Sequence, residues 1–123
     1  AARRGYVVAC VSNTTESYRD HILPAVGLAP MIHFGIFSKV EGAEKPGAAF
    51  GLLLKRGRSL LPGLEPQQVL HVGDHPRKDA QGAAAHGFHA ALLDRARCKR
   101  AADVPDDRGV AFVGSLGEVR RRL

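Results

Sequence analysis

Gln68-Val69-Leu70-His71-Val72-Gly73-Asp74-His75-Pro76-Arg77-Lys78-Asp79 is the stretch on which the fold turns. Gln68 to Gly73 is a short apolar run that stops on glycine, as a buried strand does. Lys78 to His86 is rich in alanine and closed by Gly87, which predicts a short helix with a glycine C-cap. His89 to Leu93 is apolar again and predicts the next strand. Strand, helix and strand in immediate succession predict a parallel pair joined by a crossover.

The same alternation extends outward. Tyr6 to Val11 (Tyr-Val-Val-Ala-Cys-Val) is a nearly continuous apolar run and predicts a strand buried on both faces. It ends in Ser12-Asn13, where Asn13 is placed to cap a helix and Glu16 to complete a capping box. That helix carries Tyr18, Ile22 and Val26 on one face, with Pro24 near its end. His33 to Ser38 predicts a further strand. Gly47 to about Leu60 predicts a helix whose apolar positions are Phe50, Leu53, Leu54 and Leu61. Val110 to Val113 predicts a last strand and Ser115 onward a last helix, after a polar loop from Arg95 to Arg108. Ala1 to Gly5 reads as a helix tail closed by glycine, which suggests that more chain precedes it. The expected architecture is therefore α/β, a Rossmann-like parallel sheet with flanking helices, in one domain over 1–123. Ligands of such sheets bind outside the carboxyl ends of the strands.

Composition narrows the classes. The 123 residues suit one small domain, and the 45% hydrophobic and 24% charged content is that of a globular protein. No apolar window approaches the roughly 20 residues of a membrane span. The short run after Arg3-Arg4 makes no signal peptide, so a protein without membrane partners is expected, cytoplasmic or, as the alternative, in an organelle matrix. The net charge of +6 raises the question of nucleic acid. Its basic residues are spread along the chain, and the clusters Arg95–Arg100 and Arg120–Arg122 have no interleaved aromatics to stack on bases, so no nucleic-acid partner is expected. Cys10 reads as a small core residue, and Cys98, in a basic loop, gives it no disulfide partner. The histidines His71, His75, His86 and His89 are spread over several elements, which argues for packing roles over a zinc cluster.

The strand ends carry the chemistry. Ser12-Asn13, Lys45-Pro46 and Gly73-Asp74, with Asp79 following, offer a hydroxyl, an amide, an ammonium and two carboxylates. A hydroxyl beside helix N-terminal amides suits phosphate oxygens. A lysine adds the positive charge that phosphoryl transfer needs. Carboxylates suit Mg²⁺, a hard cation that prefers oxygen ligands. Gly73 is expected to permit an unusual backbone turn beneath an exposed Asp74. The bland alternatives are a helix cap at Ser12-Asn13, a solvated loop Lys45, a capping Asp74 and an early-helix Asp79.

As an ordered set these residues resemble three motifs of the haloacid dehalogenase-like hydrolase superfamily. Val7 to Asn13 resembles the second motif, a strand ending in a hydroxyl residue. Val40-Glu41-Gly42-Ala43-Glu44-Lys45-Pro46 resembles the third, and His71 to Ala83 resembles the Gly-Asp-x-x-x-x-Asp form of the fourth. The resemblance spans Gly5 to Leu93, with Val110 to Leu123 compatible. It implies that Ser12, Asn13 and Lys45 bind the phosphoryl group, Lys45 in a catalytic role, and that Asp74 and Asp79 hold Mg²⁺. It further implies hydrolysis of a small phosphorylated substrate through an aspartyl-phosphate.

The chain departs from the pattern in three places. No Asp-x-Asp occurs at any position, so the first motif, with its nucleophile and general acid/base, is missing, as is the cap usually inserted after it. Gly47 stands where an acidic or hydroxyl residue normally follows Lys-Pro. The superfamily's nucleophile strand lies between the strands that correspond to Tyr6–Val11 and Gln68–Gly73. The chain is thus expected to be marginal alone, to close the gap, or to pair with a missing N-terminal segment or a second copy. The rival expectation is a non-catalytic phosphate- and Mg²⁺-binding module. Dehalogenation at carbon, which shares the nucleophile but needs no Mg²⁺, fits the acidic fourth motif less well.

Overall fold

A computed structural model describes residues 6–15, 17–27, 29–45, 47–96 and 110–122. The chain divides into two compact units, residues 1–63 and 64–123.

In the first unit, β1 (Ala9–Ser12) pairs in parallel with β2 (Phe34–Phe37), Ala9 opposite Phe34 and Ser12 opposite Phe37. π-helical turns at Tyr18–Ile22 run into a short α1 (Leu23–Ala25) between them. After β2 come α2 (Ser38–Glu41), closed by Gly42 at φ 68°, and α3 (Ala48–Leu60). Only glycine takes that left-handed conformation without penalty. α3 packs on β2 and buries Ala49, Phe50, Leu53 and Gly57, the helical spacing of a core stripe. Phe50 and Ile36 are fully enclosed and anchor this core.

In the second unit, β3 (Leu70–Gly73), β4 (His89–Leu93) and β5 (Val110–Val113) form a parallel sheet in that order. Leu70 is opposite His89 and Ala90 opposite Val110. β3 leads into π-helical turns at Pro76–Gln81, continued by α4 (Gly82–Ala85). The chain closes on α5 (Leu116–Arg122), beside β5. The core is β4 itself, Ala90 to Leu92, with Ala80, Ala83 and Phe88 from the preceding helix and turn. Ala at 80 and 83 lets the helix approach the sheet closely. Ser115 accepts the Glu118 N–H (3.2 Å) and Glu118 accepts the Gly114 N–H (2.8 Å), which starts α5 where the sequence predicts it.

The α/β class with parallel strands and flanking helices is as expected, and several details are not. The first strand begins at Ala9 and is half-buried throughout, because its ladder partner starts only at Phe34; Tyr6 is exposed. On the following helix it is Leu23 that is buried, while Ile22 and Val26 are exposed. Leu61 likewise lies on the surface. The helix before β4 starts at Pro76, not Lys78, since Pro fits the first helical position. The Ala1–Gly5 tail, Glu16, Cys98 and all but the first two residues of the Arg95–Arg108 loop fall outside the described residues.

Candidate active site

Ser12 closes β1, and Asn13 follows it directly. The Asn13 side chain does not cap the following helix. Its Oδ1 accepts the Lys45 backbone N–H at 3.0 Å, and its Nδ2 donates to the Lys45 carbonyl at 3.3 Å. One carboxamide thus serves both backbone groups of a residue 32 positions away, as a strand neighbour would. The second and third motifs are joined by this contact. Lys39 N–H also donates to the Thr14 carbonyl (3.0 Å), drawing the start of α2 to the same strand end. Thr14 Oγ1 and Ser38 Oγ, also in these segments, are buried with no hydrogen-bond partner among the described residues. Cys10, in the middle of β1, has its thiol pushed up by burial, partly offset by the Lys45 ammonium.

A bidentate pair braces the rim of this unit. Arg56 donates to Glu41 Oε2 at 2.6 Å and Oε1 at 2.9 Å, and more weakly to the Gly35 carbonyl. The Arg56 guanidinium holds the Glu41 carboxyl below the usual glutamate range. This ties the end of α2 to α3, on either side of the Lys45 loop.

In the second unit Asp74 follows β3 as an exposed carboxylate, whereas Asp79 is buried, only 4% exposed. Asp79 Oδ1 meets His71 Nε2 at 2.9 Å, and Oδ2 accepts the His75 N–H at 3.0 Å. His75 is the helix N-cap, and its Nδ1 accepts from Arg77 N–H (3.2 Å) and Lys78 N–H (3.0 Å). That use of Nδ1 leaves the ring proton on Nε2. Gly73 is not in the left-handed region, contrary to the expected unusual turn. Its role is space: a Cβ there would lie 2.5 Å from Asp79 Cβ and closer still to the carboxyl group.

The His71–Asp79 pairing, the His75 cap and the loop anchors were missed in the sequence, while His86 and His89 take the packing and surface places expected of them. His71 and Asp79 are partners, His86 bonds the Gly82 carbonyl (2.9 Å) and stacks obliquely near Phe88, and His89 is exposed. Among the described residues no three His, Cys, Asp or Glu side chains gather as a metal cage. Mg²⁺ does not need one, since it keeps several waters and takes one or two carboxylates with substrate phosphate. The open carboxylate of Asp74 suits that demand.

Parallel strands with helices between them, and polar residues collected at the strand ends, define a protein of the Rossmann-like α/β class. A profile of the haloacid dehalogenase-like hydrolases matches residues 1–87, and the chain belongs to that family. It is 32% identical to the phosphoserine phosphatase of Thermus thermophilus over 95 residues, covering 77% of this chain and 36% of that protein. It is 33% identical to haloacid dehalogenase-like hydrolase domain-containing protein 3 of Bos taurus over 91 residues, covering 74% and 34%. The chain thus spans about a third of the length of the curated relatives it matches. A crystal structure of a HAD phosphatase from Thermococcus onnurineus shares the fold, with a TM-score of 0.79 at 24% identity over 98% of this chain and 52% of that one. A 2-haloacid dehalogenase from Pseudomonas syringae gives 0.73 at 25% identity, over 95% and 47%. No helix among the described residues is long and apolar enough to cross a membrane.

Proposed function

We propose that these residues form the later part, one partial domain, of a Mg²⁺-dependent phosphatase acting on a small phosphate ester. Ser12, through its hydroxyl, and Asn13, through its backbone N–H, hold the phosphoryl oxygens. Lys45 offsets the charge that builds on them. Asp74 and Asp79 form the Mg²⁺ end of the site, and Mg²⁺ supplies positive charge against the phosphate when bound. The attacking carboxylate comes from chain outside these 123 residues, which contain no Asp-x-Asp. Its oxygen forms a bond to phosphorus as the ester P–O bond breaks, and the alcohol leaves with a proton from a second acid. Water then cleaves the acyl phosphate and releases inorganic phosphate. The protein is cytoplasmic and works without nucleic acid or membrane.

What carries this reading is the Asn13–Lys45 contact, which couples the strand end bearing Ser12 to the lysine loop. An Asn13 that only capped its own helix would have no reason to meet the Lys45 backbone. The test is to express the chain with whatever coding sequence precedes Ala1 and to follow phosphate release from small monoesters in Mg²⁺. A rate that falls by about 10²-fold or more in Lys45→Ala and Asp74→Asn supports it. Turnover indifferent to both substitutions overturns it. Phosphate and Mg²⁺ binding without turnover, with no Asp-x-Asp strand upstream, would assign the chain as a binding module.

A further inference from the structure

β2 lies at the outside of its sheet. Among the described residues its one ladder partner is β1, so its other edge meets no strand. The hydrogen bonds at either end of the pair show which groups line that edge. The Val8 carbonyl accepts from His33 N–H (2.8 Å) and the Thr14 carbonyl from Lys39 N–H (3.0 Å). Backbone groups alternate along a strand, so Cys10 and Ser12, between these two, also turn toward β2. With Ala9 opposite Phe34 and Val11 opposite Ile36, it is Phe34 and Ile36 that answer them. Gly35 therefore turns its N–H and its carbonyl outward.

An open edge of this kind is a template for another strand. The usual protections are a charge or a proline on the strand itself, and Phe34 to Phe37 has neither. The surface beside it is largely apolar, a cleft lined by Leu23, Ile32, Phe34, Gly35 and Phe37, with Arg19 as its charged member. An added strand would help to cover that cleft.

The protection comes from α3 instead. Arg56 Nη1 donates to the Gly35 carbonyl at 3.4 Å. That contact is weak by itself, but the guanidinium is not free to leave. Glu41 accepts from Nη2 at 2.6 Å and from Nη1 at 2.9 Å. Two such bonds to one carboxylate fix the plane of the guanidinium as well as its place.

We infer that Arg56, anchored by Glu41, closes the outer edge of β2 and keeps two copies of the chain from joining β2 to β2. The partner that this edge fits is a second copy. A two-fold axis through Gly35 would set each Gly35 N–H against the carbonyl of its counterpart, the hydrogen-bonded pair of an antiparallel ladder. Glycine brings no side chain to obstruct it. In the closed state that carbonyl is already engaged, and the guanidinium occupies the approach. The inference does not depend on the phosphatase reading.

Sedimentation of the full 123-residue chain over a concentration series, with amide hydrogen exchange at Gly35, tests this. Arg56→Met keeps the length and the apolar stem and loses every donor. Its self-association constant is expected to exceed the parent's by about 10-fold or more, since symmetry restores two backbone hydrogen bonds per dimer. Exchange at Gly35 is expected to slow as the dimer forms. Slowing separates edge pairing from a loosened fold, which would quicken exchange. Glu41→Gln leaves Arg56 without its charged anchor, so it should move both readouts the same way by less, and it decides the matter where Arg56→Met does not fold. Equal association of parent and variant overturns the inference, as does association in which Gly35 exchanges no more slowly than in the parent.

Discussion

Asn13 and Lys45 are paired as two strand residues would be, with the Asn13 carboxamide standing in for a backbone and meeting both the N–H and the carbonyl of Lys45. The lysine loop therefore owes its place to a side chain on another element. Removing the carboxamide leaves a part-buried backbone N–H without its acceptor.

Asn13→Ala should lower stability by about 1–3 kcal/mol, the cost of stranding such a group. Asn13→Asp keeps an acceptor for the Lys45 N–H but sets an oxygen against the Lys45 carbonyl, so its loss should fall between parent and alanine. Thermal unfolding of the three chains checks the order. Equal stabilities would mean that the contact contributes nothing.

Gly73→Ala should destabilise by about 1–3 kcal/mol, because the added methyl overpacks a buried carboxyl group. The penalty should shrink when Asp79 is first replaced by Gly, which removes every colliding atom, and less when it is replaced by Ala, which keeps a Cβ 2.5 Å from the added methyl. A double-mutant cycle by denaturant unfolding measures this coupling. Additive effects would place the strain elsewhere.

The strands β4 and β5 were legible to the residue, because an apolar run bounded by Gly87 and by polar loops leaves little choice of limits. The limits of β1 were not. A strand ends where its ladder ends, and Val8 meets His33 through the imidazole Nδ1 (3.0 Å) and a single backbone bond, not a continued register. The ordered motifs named the family. They could not say which member of each motif faces outward. Asn13 is as good a local cap as it is a distant anchor, and the sequence offered no way to choose. His71 and Asp79 share no helical or strand period, so their contact depends on how β3 delivers the chain into the following helix. Gly73 signalled a constraint, and only the coordinates show that the constraint is volume and not backbone conformation.

Glu41→Gln tests the brace between α2 and α3. The Glu41 carboxyl is depressed by its hydrogen bonds to Arg56, so its contribution is present above the unfolded glutamate value of about 4.3 and is lost as pH falls through the lower folded value. The parent should therefore exceed Glu41→Gln in melting temperature at pH 7, and the gap should narrow as the medium is taken below about pH 4. A gap that does not change with pH would show that the pair is not stabilising through its charge.

Cys10 offers a direct reading of the Lys45 ammonium. Burial raises the thiol above its ordinary value, and Lys45 lowers it in part, so the lysine increases the thiolate fraction at any given pH. The thiolate is the reactive form. Alkylation of Cys10 by iodoacetamide near pH 8, located by mass spectrometry to separate it from Cys98, should be slower in Lys45→Met than in the parent. Each unit by which the titration moves upward costs about tenfold in thiolate. Lys45→Arg keeps a cation on the loop and should stay near the parental rate. If methionine and arginine slow the reaction equally, the effect is steric access to β1 and the ammonium does not act on the thiol.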